Sequence, residues 1–130
     1  MQHPHAVLLS KLYHALSEGN PQLLLDACAP QMTFQIAGKS PLAGKYTKEN
    51  FISGLIAQQK ARSDGTYQLE VHDILASDLH ATVLGTSKVT RGGKTTELRT
   101  VHVWRFDQGM PVAGYEYPRD LYQFDAIWSL

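Results

Sequence analysis

The chain has 130 residues, of which 43% are hydrophobic and 18% are charged, and its twelve basic side chains balance twelve acidic ones. This length and composition are typical of one globular domain, so residues 1–130 are treated as a single domain. A formal net charge of zero and the lack of a basic run exclude nucleic acid as an expected partner.

Apolar spacing predicts two helices in the first quarter of the chain. The apolar stripe of the first helix comprises Leu9, Leu12 and Leu16. Gly19 ends that stripe, and Asn20-Pro21 has the form of an N-cap followed by a proline in the first helical turn. A second, short helix is therefore expected to begin there and to end at Pro30.

A strand and a third helix are expected next. Residues 32–36 alternate between apolar and polar side chains, as a strand does. Residues 37–44 are rich in turn formers, and Thr47 is the expected cap of the third helix. The apolar side chains of that helix are Phe51, Ile52, Leu55 and Ile56.

After a turn at residues 63–65, the pattern predicts only strands and a tail. The strands are expected near residues 67–74, 79–90, 94–106 and 111–117. Glycine-rich segments between them are typical of tight hairpins. The tail, residues 118–130, is apolar enough to dock on the domain. Helices followed by an antiparallel sheet predict an α+β fold, and a curved sheet that wraps its helices leaves a cavity where the two layers diverge.

This order of elements resembles the nuclear-transport-factor-2-like superfamily, and most closely its SnoaL-like polyketide cyclase branch. The segments that carry the resemblance are residues 13–20 (YHALSEGN), 38–46 (GKSPLAGKY), 101–109 (VHVWRFDQG) and 116–118 (EYP). The resemblance implies a cone-shaped roll in which three N-terminal helices pack on the concave face of a curved, mainly antiparallel sheet. It leaves the reaction open, because the superfamily contains isomerases, cyclases, dehydratases, epoxide hydrolases and proteins without catalysis.

Steroid isomerases of the same superfamily provide a test of function. They use a carboxylate base, and a tyrosine and a protonated carboxylic acid as hydrogen-bond donors. In our alignment the corresponding positions hold Ile36, Leu12 and His102. Since none of the three matches, steroid isomerase chemistry of that kind is not expected.

The alignment also places two candidate catalytic residues, His102 and Glu116, on the same face of adjacent strands. An imidazole oriented by a carboxylate is a competent general base. The prediction is that His102 moves a proton and Glu116 orients it. The alternative is a buried pair that only satisfies two polar groups inside the core.

Further residues are expected to line the same pocket and bind a ligand. They are Leu12, Ile36, Tyr46, Phe51, Leu55, Ser87, Thr100, Trp104 and Gly114. Inward-facing glycines at 85 and 114 are expected to leave room for a cavity of roughly 300 Å³ or more. Alternatively, these glycines only let the sheet bend. Tyr13 lies on a helix and would offer a proton donor if its phenol faced the cavity.

No metal and no cofactor are expected. His72, His80 and His102 come from different strands without the spacing of a zinc site, and no glycine-rich phosphate loop opens a helix. The apolar segments are too short to span a membrane. The N-terminus lacks the pattern of a secretion signal, and the single cysteine cannot form an internal disulfide. A cytoplasmic location without a membrane partner is the resulting expectation.

Two functions remain open. The chain is either a cofactor-free acid–base isomerase, cyclase or dehydratase that acts on a small apolar, oxygenated substrate, or a non-catalytic module that binds a small apolar ligand or a protein. Leu84, Tyr115 and Tyr117 are expected on the outer face of the sheet, where grouped apolar side chains usually mark an interface. This surface, together with the resemblance, predicts a homodimer.

Overall fold

The computed structural model describes residues 2–130, which form four helices and six strands. The helices are α1 (Pro4–Ser17), α2 (Gln22–Ala27), α3 (Ala57–Arg62), which continues a π-helical segment at Phe51–Ile56, and α4 (Leu121–Trp128). The strands are β1 (Thr33–Ile36), β2 (Gly44–Thr47), β3 (Gln68–Ala76), β4 (His80–Arg91), β5 (Lys94–Asp107) and β6 (Met110–Pro118). The predicted α+β class is confirmed.

The strands form one curved, unclosed sheet in the order β2-β1-β6-β5-β4-β3. Every neighbouring pair is antiparallel except β1 and β6, which run parallel. The sheet is therefore mixed but mainly antiparallel, as the resemblance implied. The long central strands β4, β5 and β6 make its concave floor, and the first three helices lie over that floor.

The N-terminal helices begin and end close to the expected residues, with two differences. Helix α2 begins at Gln22 with Pro21 as its cap residue, so Asn20 lies outside the helix. Thr47 ends strand β2 and does not cap a helix. Its backbone N–H donates to the Asn50 side chain at 2.7 Å, and the helical segment begins one residue later, at Phe51. Local turn chemistry at Asn50 thus replaces the expected cap.

The predicted third helix opens with π-helical geometry, in which each turn holds an extra residue. This segment buries Phe51 and Leu55 against the core, and α3 then buries Gln59. The spacing of four residues keeps the three side chains on one face of the helical run. That face is turned toward the concave side of the sheet.

The apolar tail docks as expected and does so as a helix. Phe124, Ile127 and Trp128 of α4 are buried, and the Trp128 ring packs edge-on against Tyr67. The Asp125 carboxylate accepts hydrogen bonds from the backbone N–H groups of Lys39 and Ser40. Helix α4 therefore fixes the loop between β1 and β2. No helix in residues 2–130 combines the length and apolarity needed to cross a membrane.

The inward glycines serve close packing and leave no empty space beside them. A Cβ atom at Gly114 would lie 2.5 Å from the Phe34 ring and 2.8 Å from the Trp104 ring. At Gly85 it would lie 2.9 Å from the backbone oxygen of Glu70. The expectation that these two glycines open a cavity is wrong, because aromatic rings and a neighbouring strand already occupy that space.

Candidate functional site

A cavity of about 610 Å³ lies between the helices and the concave face of the sheet. Five of the predicted site residues are on its wall, namely Phe51, Leu55, His102, Trp104 and Glu116. Other side chains of the wall include Tyr13, Phe34, Gln59, Tyr67 and Leu69. The wall is thus mainly apolar and aromatic, with a few polar groups. The volume lies within the range of small-molecule sites.

The strand register brings the two predicted catalytic residues together. His102 of β5 pairs directly with Glu116 of β6 in the antiparallel ladder. Residues at even positions from Leu98 to Phe106 are buried, and the odd ones between them are half-buried or exposed, as alternation requires. On β6, Glu116 is buried while Tyr117 is exposed. The predicted facing of both strands therefore agrees with the structure.

A chain of polar side chains crosses the cavity wall, and hydrogen bonds join its first three members, Trp104, Tyr13 and His102. The indole N–H of Trp104 donates to the Tyr13 hydroxyl oxygen at 2.9 Å. The Tyr13 Oη atom lies 2.6 Å from Nδ1 of His102. Since the indole can only donate, the Tyr13 proton is left to bond His102, which makes Nδ1 an acceptor. With Nδ1 as the acceptor, the ring N–H of His102 is at Nε2.

The second part of the chain joins His102 to Glu116 and Thr100. Nε2 of His102 lies 3.5 Å from Oε1 of Glu116, and it is fully enclosed without a hydrogen-bond partner. The Thr100 hydroxyl donates to Oε2 of Glu116 at 2.8 Å. One carboxylate oxygen is therefore held, whereas the other faces an N–H group that is slightly too distant to bond it. We call these five residues (Trp104, Tyr13, His102, Glu116 and Thr100) the polar chain.

Burial sets the protonation of the two tyrosines on the cavity wall. Desolvation raises the pKa of Tyr13 far above its ordinary value, the Trp104 hydrogen bond partly opposes this, and the negative charge of Glu116 adds to it. Desolvation likewise raises the pKa of Tyr67, with a further contribution from Glu116 and an opposing one from the Ser87 hydroxyl. Both phenols are thus held as neutral hydrogen-bonding groups.

Six predicted ligand-binding residues lie behind the cavity wall. Leu12 and Ile36 are buried in the core. Thr100 holds Glu116, and Ser87 lies near the Tyr67 hydroxyl. Tyr46 is buried and donates its hydroxyl to the Leu42 carbonyl at 2.7 Å. The sixth, the glycine at position 114, is covered by aromatic rings. These residues support the wall, and none of them is part of it.

Several wall residues were not singled out from the sequence. Phe34 shares a strand face with Ile36, so alternation in β1 was a usable signal for it. Gln59 continues the spacing of four residues set by Phe51 and Leu55. Tyr67 had no such signal, because its position depends on how the turn after α3 folds.

No group of three or more histidine, cysteine, aspartate or glutamate side chains in residues 2–130 is arranged to hold a metal ion. Of the three histidines weighed as metal ligands, His102 belongs to the polar chain and His80 is exposed. Nε2 of His72 lies 2.7 Å from the Thr86 hydroxyl.

Residues 9–113 match the sequence pattern of the SnoaL-like domain. This chain belongs to that family. The match covers strand β5, including His102 and Trp104, and ends three residues before Glu116. A comparison with curated proteins found no match.

Solved structures of the nuclear-transport-factor-2-like fold are similar over nearly the whole chain. An NTF2-like protein from Burkholderia thailandensis is 23% identical, with a TM-score of 0.81 over 97% of this chain and 98% of its own. TerC, crystallised with polyporic acid, is 19% identical, with a TM-score of 0.83 over 98% and 100%. IdmH, a proposed polyketide cyclase from Streptomyces antibioticus, is 15% identical, with a TM-score of 0.72 over 98% and 100%. At these identities the likeness establishes the fold alone.

Proposed function

We propose that this SnoaL-like protein performs cofactor-free acid–base chemistry on a small apolar, oxygenated molecule held in the cavity. The observation that carries the proposal is the polar chain, which places a buried carboxylate on an otherwise mainly apolar wall. Buried ionisable groups on a concave surface are the usual sign of such a site. An isomerisation, a ring closure or a dehydration would each use a carboxylate placed in this way.

The geometry favours a different division of roles from the one predicted from the sequence. Neither nitrogen of His102 is free for a ligand, because Nδ1 bonds Tyr13 and Nε2 is enclosed beside Glu116. Glu116 lines the cavity, and Thr100 holds only one of its oxygens. We therefore assign proton transfer to Oε1 of Glu116, and to His102 the task of positioning that carboxylate.

A proton shuttle follows from these roles. Oε1 of Glu116 takes a proton from a C–H group next to a ligand carbonyl. The electron pair of the C–H bond forms a C=C bond, and the π pair of the C=O bond moves onto the carbonyl oxygen. Glu116 then returns the same proton to a different atom of the ligand, so that the carboxylate is restored. The N–H group of His102 stabilises the carboxylate form, and Tyr13 fixes the tautomer that supplies this N–H.

A ligand class follows from the wall and from the fold. Aromatic side chains suit a flat apolar molecule, and the buried carboxylate disfavours an anionic one. TerC was crystallised with polyporic acid and IdmH is a proposed polyketide cyclase. Oxygenated aromatic and terpenoid compounds are therefore the first ligands to screen.

The discriminating experiment measures binding and turnover separately. In Glu116→Gln, compounds should bind with nearly unchanged affinity, whereas turnover should fall by about 100-fold or more, because a positioned general base contributes that much. His102→Ala should also lower turnover, since it removes the group that positions Glu116. The matched control is Glu97→Gln, which changes an exposed carboxylate of β5 that does not line the cavity.

The alternative is a non-catalytic ligand-binding module. The observation that favours it is that most of the polar chain is satisfied by its own members, as a structural network requires. If compounds bind and the parent protein consumes none of them, the catalytic proposal falls and this alternative remains.

We further propose that the protein is a homodimer that associates through the outer face of the sheet. Tyr115 and Tyr117 stack there with ring centroids 6.3 Å apart, and Tyr117 is 55% exposed. Exposed aromatic groups of this kind are typical of interfaces. Light scattering at micromolar concentration should give a dimeric mass, and a monomeric mass would contradict this proposal.

A further inference from the structure

Gln59 is a buried amide on the cavity wall that the polar chain does not include. Helix α3 places it there, and only 8% of its surface is exposed. No other described residue forms a hydrogen bond with its side chain. Nor is its amide among the fully enclosed unpaired atoms, which are Nη2 of Arg91 and Nε2 of His102. The amide of Gln59 therefore faces the open space of the cavity.

The adjacent glutamine shows that this arrangement is particular to position 59. The amide of Gln58 donates to the Gly54 carbonyl at 2.9 Å, and its oxygen lies 3.5 Å from Nε of Arg62. A glutamine in this helix thus satisfies its amide where it can. Most of the Gln59 side chain is buried, and its amide has no partner among the described residues, so on the cavity wall it is open to a partner from outside the chain.

We infer that Gln59 is a ligand-binding residue that hydrogen-bonds a hydroxyl or carbonyl group of the molecule in the cavity. Gln59 reaches the cavity from the helical side and Glu116 from the sheet side. The inference rests on the proposed function and narrows its substrate class. The substrate is a neutral apolar molecule that carries one oxygen group for Glu116 and a second, separate oxygen group for Gln59.

The chemistry of an amide explains this choice of ligand. The side chain both donates and accepts, so it suits a hydroxyl or a carbonyl equally, and it carries no charge that would select an ion. Its neighbours on the wall, Leu55 and Ile56, are apolar, while the charged Lys60 that follows it is exposed. A site built to hydrogen-bond a ligand oxygen discriminates strongly against analogues that lack it.

The test compares two probes in three forms of the protein. The probes are naphthols and dihydroxynaphthalenes whose two hydroxyls lie on opposite rings, and the proteins are the parent, Gln59→Met and the matched control Gln58→Met. Calorimetry should show that the dihydroxy compounds bind the parent about tenfold more tightly than the naphthols, because one additional neutral hydrogen bond changes the affinity by about this factor. Gln59→Met should abolish this advantage, and Gln58→Met should keep it. NMR of the labelled protein should show the Gln59 side-chain amide resonance shifting on binding.

The outcomes separate this inference from the proposed function. If the probes bind and Glu116→Gln removes turnover, but the Gln59 amide does not shift and Gln59→Met keeps the dihydroxy preference, the inference is overturned and the catalytic proposal stands. If the preference follows Gln59 while the parent turns over no compound, the inference is supported and the catalytic proposal falls. If neither probe binds the parent, the inference is contradicted, and the catalytic proposal is decided by the turnover of the screened compounds in the parent and in Glu116→Gln.

Discussion

Two pairs of histidine and glutamate lie on the same sheet at nearly the same separation. His102 and Glu116 are 3.5 Å apart on the central strands, and His72 and Glu70 are 3.7 Å apart on the edge strand β3. The side chains of the central pair are 9% and 3% exposed, while those of the edge pair are 39% and 54% exposed. Residue type and distance therefore do not distinguish a candidate site from a solvated surface pair.

The partners of each pair explain the difference. Glu70 is bonded to Lys88 at 3.0 Å, so an opposite charge and water share its interactions. Glu116 has only the Thr100 hydroxyl and the ring of His102, which Tyr13 fixes on its other side. Hydrogen bonds of neutral groups around a buried carboxylate are not screened by solvent. The central pair is thus built by packing, and the edge pair by surface charge.

The largest effect is expected where the central pair depends on close packing. Gly114→Ala would place a Cβ atom against the rings of Phe34 and Trp104, which form part of the cavity wall together with Tyr13. We expect a loss of about 3 kcal/mol in the free energy of unfolding, because a Cβ atom at these distances forces both rings out of their packed positions. Urea denaturation measures this loss.

Gly54→Ala is the control for that substitution. Its nearest neighbour would be the Tyr46 ring at 3.4 Å, an ordinary contact. Stability should stay the same or rise slightly, since alanine favours a helix. A Gly114→Ala variant that is as stable as Gly54→Ala would show that the wall behind the central pair is not tightly packed.

The next largest effect is expected for Tyr13→Phe. This change removes one oxygen atom and leaves both the indole N–H of Trp104 and Nδ1 of His102 without their partner. Unfolding experiments should show a loss of about 2 kcal/mol in the free energy of unfolding, which is typical when buried polar groups lose their hydrogen-bond partners. Tyr117→Phe, on the exposed face, should change stability by less than about 0.5 kcal/mol. A tolerated Tyr13→Phe would mean that the polar chain is not a connected network.

The two contacts of His102 differ in how far the sequence was able to predict them. The placement of His102 beside Glu116 followed from the family alignment, which set the inward face, and from strand alternation in β5 and β6, which is a local and regular property. The bond between Tyr13 and His102 joins residues 89 positions apart, and it depends on how helix α1 sits on the sheet. No periodicity in the sequence encodes that placement.

The wrong prediction that Gly85 and Gly114 open a cavity also arose because the sequence does not show how distant residues pack. Gly114 was expected to leave space because a missing side chain removes volume, yet Phe34 and Trp104 supply that volume from neighbouring strands. Close packing compensates across strands, so one position alone does not reveal a cavity. The cavity itself arises where the helices leave the sheet, and this is why Gln59 of α3 was missed.

Alkaline pH should destabilise the folded state in part through the buried phenol of Tyr13. The pKa of Tyr13 is raised by burial, so the folded state keeps the phenolic proton while the unfolded chain loses it above about pH 10. The contribution of this group is therefore complete below pH 10 and is lost as the pH rises. Between about pH 10 and pH 11 the parent should lose roughly 1 kcal/mol more than Tyr13→Phe does. Equal slopes in denaturant titrations would contradict the burial of this phenol, and Tyr117→Phe should behave like the parent.

The smallest effect is expected at the edge pair, and at acid pH. The hydrogen bond and charge of Lys88 lower the pKa of Glu70, so the stabilisation is present above the ordinary carboxylate pKa and is lost as the pH falls through the lowered value. Glu70→Gln should remove this acid-side loss while leaving stability near neutral pH almost unchanged, because exposed ion pairs contribute little. In about 1 M salt, where the Debye length is about 3 Å, parent and variant should become indistinguishable in thermal melts. A salt-independent difference would show that the edge pair, like His102 and Glu116, is held by packing and not by surface charge.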